Sequence, residues 1–191
     1  MRVAGDLGVT RGSIHYHLNR REDLAAAVFN LFTQEMLARW PAPSGSWRSD
    51  LEAISTVMYH YFLRYAGVSA YFASRNRFQI LLAAIEQDSG PVMEFQERLF
   101  AAVRAVGLDA PRSATYASLL IQFIHNSAHH TAAHEWPAEE RKLATYFAKV
   151  STTQFPSIAF MRDSYVRLDG KVAFEAGLGL ILAGLEKERE R

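Results

Sequence analysis

Apolar residues near the start of the chain recur three and four positions apart, which is the spacing of helices with one buried face. Val3 and Leu7 predict a short first helix, and Ile14 and Leu18 predict a second helix that Thr10 caps. The chain therefore opens with two short helices in close succession.

A third helix is predicted directly after them. Asn19 and Glu22 have the spacing of a capping box, and the apolar series from Leu24 to Leu31 keeps one face buried as far as about Arg39. The next segment, RWPAPSGSW at 39–47, contains two prolines, a glycine and two serines. Such a cluster interrupts helices.

We place a domain boundary at this cluster, between residues 1–40 and residues 47–191. Helical spacing continues beyond it, with predicted helices at 47–66, 69–86, 91–106, 112–134, 138–153 and 171–188. Sustained two-residue alternation, the pattern of strands, is not found. The sequence therefore predicts an all-α protein with a small N-terminal unit and a larger helical body.

Composition narrows the function classes. Hydrophobic residues make up 49% of the chain and charged residues 21%, which is typical of a globular protein with a sizeable core. The sequence has no cysteine, which excludes disulfides and thiolate metal sites and fits a cytoplasmic location. Neither a membrane-spanning run nor a secretion signal is present, so no membrane partner is predicted.

The net charge is only +1, so affinity for nucleic acid requires a local basic patch. Segment 10–21 provides one, with three arginines and no acidic residue. Two short helices joined by a turn containing glycine are the geometry of a helix-turn-helix, whose second helix enters the major groove. In that groove Arg11 can form a bidentate pair with guanine, and Gly12 lets the backbone come close to the DNA. His15 can donate a hydrogen bond to an acceptor on a base.

The remaining polar residues of this segment suit the DNA backbone. Ser13, Tyr16 and His17 are donors for phosphate oxygens, and Arg21 lies at the start of the next helix, where a cation and a helix N-terminus together attract phosphate. The same composition also fits a surface helix, capped by Thr10, whose charges only keep it solvated.

The stretch VAGDLGVTRGSIHYHLNRREDL at 3–24 resembles the signature of the tetracycline-repressor (TetR) family. The positions in step with that signature are Ala4, Leu7, Gly8, Val9, Gly12, Ile14, Tyr16, His17 and Leu24. Leu18 replaces an aromatic residue and Arg21 a lysine. The ending FEAGLGLILAGLEKERER at 174–191 is also similar to that of the branch containing the tetracycline repressors.

The resemblance implies a dimeric DNA-binding regulator. It places Arg11, Gly12 and His15 at base-reading positions. The positions it implies for phosphate contacts are Thr10, Ser13, Tyr16, His17 and Arg21. His15 stands where a tyrosine is usual, which leaves the operator sequence open.

Members of the family begin with a further helix, and this sequence starts inside what should be the second helix. We therefore expect Met1 to be an internal methionine, with the first helix of the DNA-binding domain missing. A small domain that loses one helix loses much of its buried apolar area. If the protein begins at Met1, we expect weak operator binding.

Residues 57–78 interleave aromatic side chains with polar and charged ones. Such a stripe is commonly plain core, but aromatics beside a few polar groups also fit a ligand cavity. In the family that the chain resembles, this part of the chain and the following helices line the effector pocket. The residues predicted on that basis are Tyr59, Phe95, Arg98, Gln122 and Asn126. The tetracycline-binding pattern is not recognisable, so the effector is not named.

Two histidine pairs, His125 with His129 and His130 with His134, share helix faces. Thr131 occupies the position where an H-E-x-x-H zinc protease needs its glutamate, so hydrolytic zinc chemistry has no support. We predict solvated or interface histidines, with no metal and no cofactor. Metal sensing stays an alternative.

In the last predicted helix Ala173, Gly177 and Gly184 lie on roughly one side. An interior glycine costs a helix about 1 kcal/mol relative to alanine, and close approach of another helix is a reason to keep it. With the apolar run at 116–124, these residues predict the four-helix dimer interface that the family uses. Packing within one body is the alternative.

No nucleophile elbow, phosphate loop or carboxylate constellation is found, so an enzyme is not predicted. The leading interpretation is a homodimeric repressor that binds a near-palindromic double-stranded DNA operator and is released by a small molecule. The alternative is a helical small-molecule or metal-sensing module without DNA-binding function in this truncated form.

Overall fold

A computed structural model describes residues 21–73, 77–133 and 137–190. These ranges are mainly helical and contain no strand, which confirms the all-α prediction. None of the helices found there is both long and apolar enough to cross a membrane. We number the described helices α1 (Arg21–Leu37), α2 (Trp47–Arg64), α3 (Ala66–Ala73), α4 (Arg77–Gln87), α5 (Ser89–Arg104), α6 (Ala110–Ala133), α7 (Pro137–Ala148), α8 (Pro156–Val166) and α9 (Gly170–Arg189).

Helix α2 lies at the centre of the main core. Its buried side chains contact α5, α6 and α9, which all contribute leucines or other aliphatic residues at helical spacing. The fully buried side chains of this core include Leu51, Met58, Leu99, Val103, Leu120, Ile124 and Leu185. Burial of each such side chain stabilises the fold by roughly 1.5–3 kcal/mol.

Helix α1 packs closely on the body. Ala26 joins a small cluster with Ala84 and Val92, and the Asn30 side chain donates a hydrogen bond to the carbonyl oxygen of Ala84 at 3.1 Å. Phe32 belongs to the main core itself. The residues on the two sides of the boundary predicted at 39–47 therefore pack against each other. The boundary itself stays a prediction.

The helix starts follow local capping rules. Asp88 accepts a hydrogen bond from the backbone N–H of Gly90 at the start of α5, and Asp169 accepts one from Val172 at the start of α9. Both aspartates lie between the predicted helices, Asp88 between 86 and 91 and Asp169 just before 171. Gly45, in the linker before α2, has a φ of 86°, a conformation that costs residues with a side chain more than it costs glycine.

Two predicted helices differ from the structure. The helix predicted at 69–86 corresponds to α3 and α4, which lie on either side of residues 74–76, outside the described ranges. The helix predicted at 138–153 ends at Ala148.

Helix α8 was not predicted. Its start carries a recognisable signal, because Pro156 occupies the first turn, where a proline is tolerated. Its apolar side chains do not form a buried stripe, however, so the periodicity that predicts helices is missing there.

Candidate effector groove and helix junction

The predicted DNA-contacting residues Thr10, Arg11, Gly12, Ser13, His15, Tyr16 and His17 lie outside the described residues. Arg21 begins α1, but its side chain is also outside them. The assignment of these residues to DNA stays a prediction. The structure does describe α1, the helix that directly follows them.

A polar cluster joins α1 to α2. The carboxylate of Glu35 accepts hydrogen bonds from the hydroxyls of Tyr61 and Tyr65, each at 2.9 Å. The Arg39 guanidinium donates to the Tyr61 hydroxyl at 3.0 Å. Phe32 packs its ring against both tyrosine rings, with centroids 5.5 and 5.9 Å apart. We call these five residues the aromatic junction.

The protonation states favour this arrangement. Hydrogen bonds from Tyr65 and Tyr61 lower the pKa of Glu35, and the charges of Arg39 and Arg64 act in the same direction. Burial and the hydrogen bond to Glu35 raise the pKa of Tyr61 to about 12. At neutral pH the carboxylate is therefore charged and the phenol protonated, which is the state that the hydrogen bonds require.

We expect Tyr61→Phe to lower the free energy of unfolding by about 1–2 kcal/mol at neutral pH, because its hydroxyl takes part in two hydrogen bonds. In the wild type, the folded state keeps the Tyr61 proton between about pH 10 and about pH 12, while the unfolded state loses it. The unfolded state then binds fewer protons, so stability falls as the pH rises through this window. Urea unfolding followed by circular dichroism measures both effects.

The matched control is Tyr146→Phe, because the side chain of Tyr146 is exposed on α7. We expect this variant to keep the wild-type stability and the wild-type fall above pH 10. An unchanged alkaline slope in Tyr61→Phe would contradict the role given to the junction.

A groove of about 420 Å³ lies between α2 and α9, a volume within the range of small-molecule sites. We call it the effector groove. Its lining residues are Arg48, Glu52, Thr56, Tyr59, His60, Lys171, Phe174, Glu175, Leu178, Gly179 and Leu182.

The base of the groove is apolar and tightly packed. The rings of Tyr59 and Phe174 stack with centroids 4.0 Å apart and planes within 9° of parallel. The Tyr59 hydroxyl is hydrogen-bonded to that of Thr131 at 3.0 Å. Only 1% of Tyr59 and 2% of Phe174 is exposed, so both rings are held in place by their surroundings.

The rim of the groove carries charges of both signs. Arg48 pairs with Glu186 at 3.1 Å, and Lys171 pairs with Glu175 at 3.7 Å. These side chains are largely exposed, and exposed ion pairs contribute about 1 kcal/mol or less. A charged group on a ligand can therefore replace either pairing at low cost.

Of the five predicted ligand residues, the structure brings only Tyr59 to the groove. Phe95 is buried in the core, with its ring edge-on to Trp40 at 5.7 Å. Arg98 is exposed and pairs with a glutamate on its own helix. Gln122 and Asn126 lie on the exposed side of α6. Whether any of the five contacts an effector stays a prediction.

Sequence reasoning missed the half of the groove that α9 provides. Phe174 and Leu178 were part of the C-terminal stretch that resembles the family, but no local pattern marks them as partners of α2. The charged rim residues Arg48 and Lys171 also carry no sequence signal, because single charges near helix ends are common.

The histidines of α6 do not gather around a metal. The imidazole of His125 is hydrogen-bonded to the Ser69 hydroxyl at 2.8 Å and packs edge-on to Phe62. His129 and His130 are exposed, with ring centroids 6.3 Å apart. Within the described ranges, which exclude His134, no three potential ligands come together.

Of the two glycines predicted to face another helix, Gly177 is explained by packing within the chain. A Cβ on Gly177 would lie 2.5 Å from the Phe123 ring, so this glycine allows α6 to approach. Gly184, in contrast, faces open space. Packing within one body therefore explains Gly177. It does not explain Gly184, because no atom lies within 4 Å of the position of a Cβ there.

An exposed apolar strip follows the outer side of α9. Leu180 is 77% exposed, and Val172 is also largely exposed. Small residues lie beside them at helical spacing, namely Ala176, Ala183 and Gly184. We call these five residues the pairing face.

The family pattern described as Tetracyclin repressor-like, C-terminal domain, matches residues 41–189. The chain belongs to the TetR family. This confirms the family that the sequence was predicted to belong to, and the match includes the C-terminal stretch but does not extend to residues 3–24. Members of the TetR family are transcriptional regulators and not enzymes, so the chain is a transcriptional regulator.

Solved structures share the TetR fold seen here. ActR from Streptomyces coelicolor without ligand is 23% identical, with a TM-score of 0.78, and the match covers 100% of this chain and 87% of ActR. ActR in complex with actinorhodin is 22% identical, with a TM-score of 0.81 and the same coverage. The regulator SCO7222 from the same organism is 18% identical, with a TM-score of 0.70 over 97% of this chain and 86% of that one.

At these identities the likeness establishes the fold alone. The search of curated proteins found no match.

Proposed function

We propose that this TetR-family regulator is a homodimeric, cytoplasmic repressor that a small molecule releases from a near-palindromic DNA operator. The observation that carries the proposal is that helix α2 contributes residues both to the effector groove and to the aromatic junction. Tyr59 forms the base of the effector groove, and Tyr61, two residues further along, binds Glu35 of α1. Helix α1 in turn follows the segment that resembles a helix-turn-helix.

The lining of the effector groove suits a ligand with an apolar body and polar or charged substituents. Its base is formed by buried aromatic and aliphatic side chains, and its rim offers Arg48, His60 and Lys171 beside Glu52 and Glu175. ActR, which has the same fold, was crystallised with actinorhodin. We infer a small-molecule effector for this chain too, without assigning that compound.

The pairing face supports the dimer. A two-fold interface uses the same surface on both copies, and small residues beside Leu180 let two α9 helices approach closely. A dimer presents two reading helices to two half-sites, which explains why the operator would be near-palindromic.

Release from DNA follows from differential binding. A ligand shifts the dimer toward the released state only as far as it binds that state more tightly than the DNA-bound state. Because α2 touches both the groove and the aromatic junction, a small displacement of α2 would change the position of α1 and thus the spacing of the reading helices.

Arg11→Ala tests the DNA-binding part of the proposal. Removal of a bidentate contact to guanine costs about 1–3 kcal/mol in each half-site, and the dimer loses two of them, so we expect operator affinity to fall at least about 30-fold. An operator duplex selected from a random pool serves as the probe, and affinity is measured by fluorescence anisotropy at several salt concentrations, because phosphate contacts make binding salt-dependent. The control is Arg104→Ala, a surface arginine at the end of α5.

Unchanged affinity in Arg11→Ala would contradict the assignment of the reading helix. Failure to bind any duplex in a salt-dependent way would favour the alternative, a sensing module without DNA function. For the ligand part, a compound that stabilises the protein against heat is added to the operator complex. If that compound binds and leaves operator affinity unchanged, the release scheme is wrong.

A further inference from the structure

The apolar base of the effector groove is closed by packing, so the polar rim decides which ligand the groove accepts. The aliphatic side chains of the lining are almost fully buried, with Leu178 4% and Leu182 2% exposed beside the stacked rings of Tyr59 and Phe174. In small-molecule sites a few placed polar groups fix the orientation and the selectivity of the ligand. The chemistry of the effector is therefore indicated by the polar side chains of the rim.

The two helices of the groove run in opposite directions. Arg48 of α2 pairs with Glu186 near the end of α9, whereas Tyr59 stacks on Phe174 near the start of α9. Positions 48 and 59 are eleven residues apart on α2, which corresponds to about 16 Å along the helix axis. The middle of the groove lies between these two contacts.

The middle of the groove offers hydrogen-bond acceptors. On the α2 side, Glu52 has an exposed carboxylate, whose oxygens only accept. The Thr56 hydroxyl donates its proton to the backbone carbonyl oxygen of Glu52 at 2.8 Å, so its oxygen is also left as an acceptor. On the α9 side the lining residues are Leu178, Gly179 and Leu182, whose side chains carry no polar atom. A ligand in this part of the groove therefore needs hydrogen-bond donors.

The same part of the groove carries a negative charge that is not neutralised. Arg48 is paired with Glu186, and Lys171 is paired with Glu175. In the part of the chain that the structure describes, no cationic side chain lies within ion-pair distance of Glu52. A cleft with one sign of charge in excess concentrates ligands of the opposite sign, because its low-dielectric walls focus the field. The charge of Glu52 therefore favours a cation.

Gly179 leaves space on the opposite wall. It lines the groove, and a Cβ at this position would meet no atom within 4 Å. An interior glycine weakens a helix relative to alanine, and contacts with the described parts of the chain do not require this one. A larger side chain at this position would occupy the groove, so the glycine keeps it open.

We propose that the effector groove binds an organic cation, namely an apolar body that carries a protonated amine. The ammonium group donates hydrogen bonds to Glu52 and Thr56. The apolar body lies against α9, in the space that Gly179 keeps open. This inference rests on the proposed function, in which the groove is the effector site, and it names the chemical class of the effector.

Three probes with the same ring system and similar size test the charge preference, namely naphthylmethylammonium, naphthylmethanol and naphthoate. We expect the cation to bind about 5-fold more tightly than the alcohol, the ratio given by an ion pair at the upper end of the exposed range, and the anion to bind most weakly. A ligand-observed NMR titration measures the three dissociation constants. Tighter binding of naphthoate, or no binding of the cation at millimolar concentration, would overturn the proposal.

Glu52→Gln removes the charge at an exposed position and keeps an acceptor oxygen. We expect the affinity for naphthylmethylammonium to fall about 5-fold and the affinity for naphthylmethanol to stay unchanged. The matched control is Glu97→Gln, the same substitution at an exposed position on α5, which should leave all three affinities unchanged. An equal fall for the cation and the alcohol in Glu52→Gln would contradict the charge pairing.

Gly179→Leu tests the space. The new side chain overlaps the ligand body, so we expect the affinity for both the cation and the alcohol to fall at least about 10-fold. The matched control is Gly67→Leu, at an exposed glycine on α3 that also faces open space, and it should bind as the wild type does. Wild-type binding in Gly179→Leu would place the cation elsewhere and overturn the proposal.

The Leu180→Glu variant separates ligand binding from dimer formation. Every lining residue of the groove belongs to one chain, so the cation should bind this variant with wild-type affinity even as a monomer. A defect in dimer formation therefore does not imitate the effect of Gly179→Leu. Loss of binding in Leu180→Glu would overturn a groove built by a single chain.

The cation site and the proposed function fail separately. If naphthylmethylammonium binds with the expected dependence on Glu52 and leaves operator affinity unchanged, the cation site stands and release through this groove is wrong. If a compound releases the operator equally well from the wild type and from Glu52→Gln, the proposed function stands and the cation is wrong.

Discussion

Leu180→Glu is expected to convert the dimer to a monomer and to weaken operator binding by about 100-fold or more. Leu180 lies in the middle of the pairing face and is the most exposed large hydrophobic side chain of α9. A two-fold interface uses the same surface on both copies, so each copy brings one new carboxylate to it and the two like charges come together. Like charges brought together in an interface cost several kcal/mol, and about 2.8 kcal/mol corresponds to 100-fold in affinity.

The operator effect follows because a monomer contacts only one half-site. Sedimentation equilibrium and fluorescence anisotropy on the selected operator, at one fixed salt concentration, measure the two quantities on the same preparation. The matched control is Leu82→Glu, which places the same charge at an exposed leucine on α4 and should retain both wild-type values. A Leu180→Glu protein that stays dimeric would show that the two copies meet elsewhere.

Phe174→Ala is expected to lower the free energy of unfolding by about 3–5 kcal/mol, the range for truncation of a buried aromatic residue. The Phe174 ring lies between those of Tyr59, at 4.0 Å, and Phe123, at 5.8 Å. The truncation therefore removes two ring contacts and leaves a cavity beneath the effector groove. Typical domains are stable by only 5–15 kcal/mol, so the loss is a large share of the total.

Urea unfolding followed by circular dichroism measures this loss, at one protein concentration because dimer formation adds to stability. The control is Phe100→Ala, the same substitution at a half-exposed position on α5, where a loss of about 1 kcal/mol or less is expected. Equal losses in the two variants would contradict the packing described for the base of the groove.

Local sequence signals predicted most of the helices. Asp88 and Asp169 lie between predicted helices and cap α5 and α9, because a capping side chain needs only the backbone N–H groups of the next two or three residues. The spacing of apolar residues predicted α2, α5, α6 and α9, because this pattern also depends only on residues close together in the chain. Helix α8 was missed because its apolar residues face outward, so it has no buried stripe to give the pattern.

The candidate site was predicted in part. Tyr59 was identified from the aromatic stretch at 57–78, and it does form the base of the groove. The same stretch contains Tyr61 and Tyr65, but their role depends on Glu35, which belongs to a different helix. No spacing rule relates positions on two helices before their packing is known.

The sequence by itself determined the helical character of the chain and its resemblance to the TetR family, because caps, breaks and apolar spacing are local and the stretches that carry the resemblance are short. Only the tertiary structure decided that Tyr59 stacks on Phe174, that Gly177 makes room for Phe123, and that the outer side of α9 is left open. These contacts join helices that are far apart in the chain, so they depend on how the helices pack together and not on any residue's neighbours in sequence.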